Sequence, residues 1–185
     1  HQAGMYGWRK KINETDLYDW KYCTKILAEQ EAFHSPKEET CYHAKTIGYL
    51  SGEIIRRITG KTVGQFLQDE IIGGRKILAF IGTPEKYHKL ISETKHNTDN
   101  KNNKSTKIID KYTELAFNNP PSNQETLLTK EWKINEIPSL NCYSNSSALA
   151  RIYDLLINSV NKKNPLISYE TLLKVTQVES NKIDY

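Results

Sequence analysis

Ser-x-x-Lys is the spacing at which a lysine amine, one helical turn on, reaches a serine hydroxyl, and serine acyl-enzymes use it. It occurs here at Ser92–Lys95 and Ser159–Lys162. With 12 Ser and 21 Lys in 185 residues, chance supplies between one and two such matches, so these two are uninformative. Both fall at polar helix ends, where water would reach a nucleophile. Thr59-Gly60-Lys61-Thr62 lacks the upstream glycine of a phosphate loop and joins two predicted helices rather than following a strand. The sequence holds no G-x-G-x-x-G, H-E-x-x-H or G-x-S-x-G. Its five histidines, His1, His34, His43, His88 and His96, are dispersed. His43 and His88 could each act in proton transfer, but neither has a partner in the sequence. Cys23, Cys41 and Cys142 show no C-x-x-C spacing, so no metal and no cofactor is expected. Tyr42 stands out by context. It opens the most apolar predicted helix directly after a loop. Helix N-terminal N–H groups favour a phenolate, and a nearby lysine would lower the phenol pKa further. That is the setting of a general base. From the residues alone, packing of the ring remains the simpler account.

The elements that must position Tyr42 are mostly helical. A helix is predicted from about Leu17 to Glu31, with Thr15 or Asp16 as N-cap. A loop from Phe33 to Cys41 follows. The helix from Tyr42 to about Thr59 carries Ile47, Leu50, Ile54 and Ile58 at helical spacing. Gly48 and Gly52 on it would admit a second backbone, and Gly60 fits its C-terminal stop. Thr62 and Gln65 form a capping box for a further helix that ends at Gly73–Gly74. The apolar run Ile77–Ile81 reads as a short buried strand. Thr83-Pro84-Glu85 starts another helix, with proline in its first position, running to about Thr94. Residues 95–107 form a low-complexity polar insertion. Helices are predicted at about 106–117, from Ser144 to Asn158 with Leu149, Ile152, Tyr153 and Leu156 as its stripe, and from Ser168 to Val178. The expected fold class is mainly α with one or two short strands.

Composition excludes several functions. No run approaches the roughly 18 apolar residues that span a bilayer, so no membrane span is expected. The net charge of +4 comes from 21 Lys and only 5 Arg, scattered along the chain. Nucleic-acid readers cluster their charge and favour arginine, so nucleic acid is not an expected partner. An odd cysteine count leans toward a reducing compartment. Three N-x-S/T sequons, at Asn13, Asn103 and Asn145, are unremarkable among 15 Asn. Hydrophobic residues make up 37% and the chain starts at His1 rather than Met. Together these read as part of something larger.

The stretch Tyr42-His-Ala-Lys-Thr-Ile-Gly-Tyr-Leu-Ser-Gly-Glu-Ile-Ile-Arg-Arg-Ile-Thr-Gly-Lys-Thr, continuing to Phe66, resembles the serine β-lactamase-related family of class C β-lactamases, esterases and penicillin-binding-like proteins. Other segments agree in chain order. His1-Gln-Ala-Gly resembles the segment after the family's nucleophile helix. Asp19–Trp20 and Leu27-Ala-Glu-Gln-Glu resemble the helix before the Tyr loop. Ile81-Gly-Thr-Pro-Glu, Glu136-Ile-Pro-Ser-Leu-Asn, Ala148-Leu-Ala-Arg-Ile-Tyr and Leu166 to Leu173 resemble later family segments.

The resemblance implies that residues 1–185 are the helical subdomain of an α+β β-lactamase/transpeptidase-like fold, as an internal fragment. The family's Ser-x-x-Lys would precede His1, and its closing element would follow Tyr185. Only the family's base maps onto this chain, at Tyr42, which with a lysine activates the serine and protonates the leaving group. Ala44 stands where β-lactamases carry asparagine, a departure that fits esterase-like members. The expected activity is that of a serine hydrolase on a small ester or amide. The alternative is a catalytically inactive β-lactamase-like module for binding or assembly. Substrate, oligomeric state and compartment stay open.

Overall fold

The computed structural model describes residues 1–92, 111–121, 123, 125–162 and 165–184. The expected polar insertion at 95–107, and the helix expected at about 106–117 as far as residue 110, therefore lie outside the described residues. Local capping decides where the rest begin. Asn13 caps a 3₁₀ turn, Glu14–Tyr18, and Asp19 then caps α1, Trp20–Glu29, by accepting the Tyr22 N–H. The expected single helix from Leu17 is thus split, because two Asn/Asp caps stand six residues apart. The second helix, α2, is Thr46–Thr59, and Gly60 ends it in the left-handed conformation at φ 70°. Thr62 and Gln65 make the capping box of α3, Val63–Phe66. The next turn, Leu67–Ile72, widens to π geometry and stops at Gly73, φ 54°.

Strand β1, Ala79–Ile81, pairs antiparallel with β2, Cys142–Ser144, in the register Phe80 opposite Tyr143. Pro84 caps a 3₁₀ helix, Glu85–Leu90, shorter than the helix expected from that proline. The remaining helices are α4, Lys111–Asn118, α5, Lys130–Ile134, α6, Ser146–Ser159, and α7, Tyr169–Val175. Strand β2 and helix α5 are too short for periodicity to reveal.

The main core collects Trp8, Ile12, Leu17, Cys23, Leu27, Tyr49, Trp132 and Ile137. Its buried polar atoms are paired, as burial demands. Tyr49 Oη donates to the Leu17 carbonyl at 2.6 Å, and Trp8 Nε1 donates to the Cys23 carbonyl at 3.2 Å. Burial pushes the Cys23 thiol up to about 12, which keeps it inert. A smaller cluster joins Ile72, Ile77, Ala79 and Ala148. Glu136 ties β2's approach to α3: Oε2 accepts the Gly64 N–H at 3.1 Å and Oε1 accepts the Thr62 hydroxyl. A carboxylate at that helix start also meets the favourable end of its dipole.

Of the expected stripe on α2, Leu50 packs against the core, but the C-terminal isoleucines do not. Thr46, Gly48, Tyr49 and Gly52 face inward, whereas Ile54 and Ile58 are 60% and 77% exposed. The two glycines explain this. A Cβ on Gly52 would lie 2.6 Å from the Trp20 ring, and one on Gly48 would lie 2.6 Å from the Ser139 backbone nitrogen. Close approach along the small-residue face outweighs the larger apolar side chains elsewhere. On α6, likewise, Ala148, Ile152 and Leu155 pack inward, while Leu149 and Tyr153 of the expected stripe are exposed. Gly48→Ala tests the close approach. Alanine gains about 1 kcal/mol of helix propensity, but overpacking against backbone costs about 1–3 kcal/mol. The expected outcome is a net loss of stability, read as a lower urea midpoint with unchanged slope.

Candidate active site

Tyr42 does not open α2. It lies in a segment without regular secondary structure, followed by a turn at Ala44–Lys45, and α2 begins only at Thr46. The dipole effect falls off within the first turn, so the expected helix-start stabilisation of a phenolate does not reach Tyr42. Lys45 is the nearest lysine in the chain, and it turns inward. It is buried and donates from Nζ to the Pro120 carbonyl. Burial lowers its pKa to about 8, with Glu14 opposing.

The segment around Tyr42 is instead held by chain paired on its flanks. Cys41 N–H donates to the His1 carbonyl at 3.0 Å, and His43 N–H donates to His1 Nδ1 at 3.0 Å. The His43 ring is buried between two strands of backbone. Its Nε2 accepts the Met5 N–H at 3.1 Å, which places the proton on Nδ1, and Nδ1–H donates to the Cys41 carbonyl at 2.6 Å. Thr46 Oγ1 closes the clasp by donating to the Met5 carbonyl at 2.6 Å. Tyr42 itself is 43% exposed. Its ring lies 4.6 Å from the His1 ring and is stacked 5.9 Å from Phe117, centroid to centroid. Its hydroxyl makes no hydrogen bond with another described residue.

The other sequence candidates resolve into structural roles. Both ring nitrogens of His43 are committed, so it cannot accept a substrate proton. His88 donates to the Thr83 carbonyl at 2.9 Å. Ser159 is buried, donates to the Leu156 carbonyl at 3.0 Å and accepts the Leu166 N–H at 3.1 Å, with exposed Lys162 making the turn. Lys95 and His96 lie outside the described residues. Thr59 to Thr62 is the α2–α3 junction, and Lys61 pairs with Asp69 and Glu70. Among the described residues no group of three His, Cys, Asp or Glu could hold a metal ion. No described helix is long and apolar enough to cross a membrane. Sequence reasoning missed Phe117 and the role of His1. Neither carries a local signal, since each meets Tyr42 only through the fold.

Burial lowers the His43 pKa from the ordinary 6.5, while its bond to the Cys41 carbonyl opposes the shift. The unfolded chain therefore binds this proton first. Stability contributed by neutral His43 is full above about pH 6.5 and is lost as pH falls through that value toward the lower folded pKa. Urea midpoints measured at pH 7 and pH 5 should fall in the natural chain. His43→Gln, which does not titrate, should show a smaller fall over the same window.

The described geometry matches known proteins in one direction. The family model "Beta-lactamase" matches residues 1–183. A solved penicillin-binding protein homolog from Caulobacter crescentus superimposes with a TM-score of 0.81 at 27% identity, over 97% of this chain and 47% of its own. A family VIII carboxylesterase gives 0.80 at 27% identity, over 97% and 47%. EstA from Arthrobacter nitroguajacolicus Rue61a gives 0.80 at 22% identity, over 96% and 48%, and so shares the fold. No curated protein sequence matches significantly. The chain thus spans about half the length of these solved structures, in the mainly helical part of their fold. From the collinear segments around Tyr42 to the match over residues 1–183, the chain belongs to the beta-lactamase family.

Proposed function

We propose that this chain is the base-bearing helical part of a serine hydrolase that cleaves an ester or amide through an acyl-serine intermediate, with Tyr42 as the general base. The observation that carries this reading is a fixed ring with an unengaged hydroxyl. Tyr42 is gripped through its neighbours and flanked by two rings, yet its phenol is half-exposed and makes no hydrogen bond with another described residue. Tyr49 is the contrast: its hydroxyl is buried, bonded to the Leu17 carbonyl, and burial drives its pKa upward. A proton acceptor must be reachable and already oriented, and Tyr42 meets both conditions.

In the proposed chemistry the nucleophilic serine and its lysine come from sequence outside residues 1–185. Tyr42, acting as a phenolate with that lysine, takes the serine proton as the hydroxyl oxygen attacks the carbonyl carbon, then returns it to the departing alcohol or amine. The open apolar side chains of α2 and α6 support placing further chain there. Ile54, Ile58, Leu149, Tyr153 and Ile157 are all exposed, and the solved relatives are about twice as long. Ala44 supports an ester over a β-lactam. It is buried and offers no amide where β-lactamases carry one.

Residues 1–185 alone should take no covalent label from a fluorophosphonate or a penicillin; labelling at any serine would overturn the division of the site. In the active hydrolase that contains this chain, Tyr42→Phe keeps the ring and removes the hydroxyl. It should lower kcat for a p-nitrophenyl ester by about 10²–10⁴-fold. Turnover near the natural value would refute the role of Tyr42.

A further inference from the structure

We propose that His1 is the positioning residue for Tyr42, holding the phenol where the base must act. Three independent contacts converge on it. Its backbone carbonyl accepts the N–H of Cys41, the residue before Tyr42. Its imidazole Nδ1 accepts the N–H of His43, the residue after Tyr42. Its ring lies 4.6 Å from the Tyr42 ring, tilted at 47°. One residue thus fixes the peptide on both sides of Tyr42 and also contacts its ring, against which Phe117 stacks as well.

Chain geometry makes this grip selective. Burial alternates along the segment. Residues 41 and 43 are both buried, and Tyr42 between them is exposed. Holding the two flanking amides fixes the backbone that carries its ring. Phe117 alone could not, because it touches only the ring. The His1 imidazole must offer an unprotonated Nδ1 to accept from His43, so its proton sits on Nε2. Its catalytic consequence rests on Tyr42 being the base; the grip itself does not.

Two substitutions separate the ring from the acceptor. His1→Phe keeps an aromatic ring and removes Nδ1. His1→Asn removes the ring, while its side-chain carbonyl oxygen stands near the place of Nδ1. In amide hydrogen exchange, His1→Phe should speed exchange at the His43 N–H about tenfold, the effect of losing one hydrogen bond, and leave Cys41 protected. His1→Asn should keep His43 protected. His1→Ala, which adds no bulk, should repeat the His1→Phe result if that variant folds poorly. In the active hydrolase His1→Phe should lower kcat about tenfold with KM unchanged, and His1→Asn should restore most of it. In a Tyr42→Phe background, His1→Phe should cost nothing more, because it acts through the missing hydroxyl. Unchanged His43 protection in both His1→Phe and His1→Ala would overturn the proposal. So would an equal loss of kcat in both backgrounds. If Tyr42→Phe alone leaves turnover intact, only the base assignment falls, and exchange at His43 still decides whether His1 grips the segment.

Discussion

A neutral histidine wedged between two stretches of backbone organises this molecule. His43 accepts from Met5 on one nitrogen and donates to Cys41 from the other, and Thr46 returns a bond to Met5. Neither stretch has the regular partners of a sheet. Without the imidazole, buried backbone N–H and C=O groups would lose their partners, at roughly 1–3 kcal/mol each. The ring must stay neutral to serve both, and burial supplies that condition by disfavouring the charged form. The amino-terminal segment is thereby fastened beside the loop that carries Tyr42, and every feature of the candidate site follows from that fastening.

Packing then fixes where the fastened loop can lie. Helix α2 starts immediately after it, and two glycines let that helix sit against Ser139 and Trp20 at distances no side chain permits. Ser139 uses the approach to donate to the Lys45 carbonyl in the turn before the helix, at 2.7 Å. Lys45 reaches the other way to Pro120, just beyond α4, whose Phe117 faces Tyr42. The same close contacts that build the core therefore also set the walls around the phenol. Stability and site geometry share residues here, and a change at Gly48 would disturb both.

Function separates from this scaffold along a clear line. The family match and the solved relatives establish the beta-lactamase family and its helical fold elements. Among the described residues Ser159 offers no free nucleophile, because it is buried and engaged in a turn. What the chain presents at Tyr42 is an exposed phenol whose neighbours on both sides are hydrogen-bonded to His1. The role proposed for Tyr42 needs a nucleophile brought against it, which is why the proposed activity is assigned to a larger hydrolase.

Residues close in sequence determined a good deal. Gly60 ends α2, Thr62 with Gln65 starts α3, and Ser168 starts α7, because capping bonds span only three or four positions. The Tyr42 segment was legible through its likeness to a family, not through spacing. Tertiary structure decided the rest. It buried Thr46, Gly48 and Tyr49 instead of Ile54 and Ile58, because backbone approach at glycine beats side-chain size. It paired the three-residue strand β2 with β1, whose register depends on a partner some sixty residues away. It also drew Tyr42 off the helix and set it beside His1 and Phe117. A side chain's neighbours across such distances are set by which surfaces fit, and no local pattern encodes that fit.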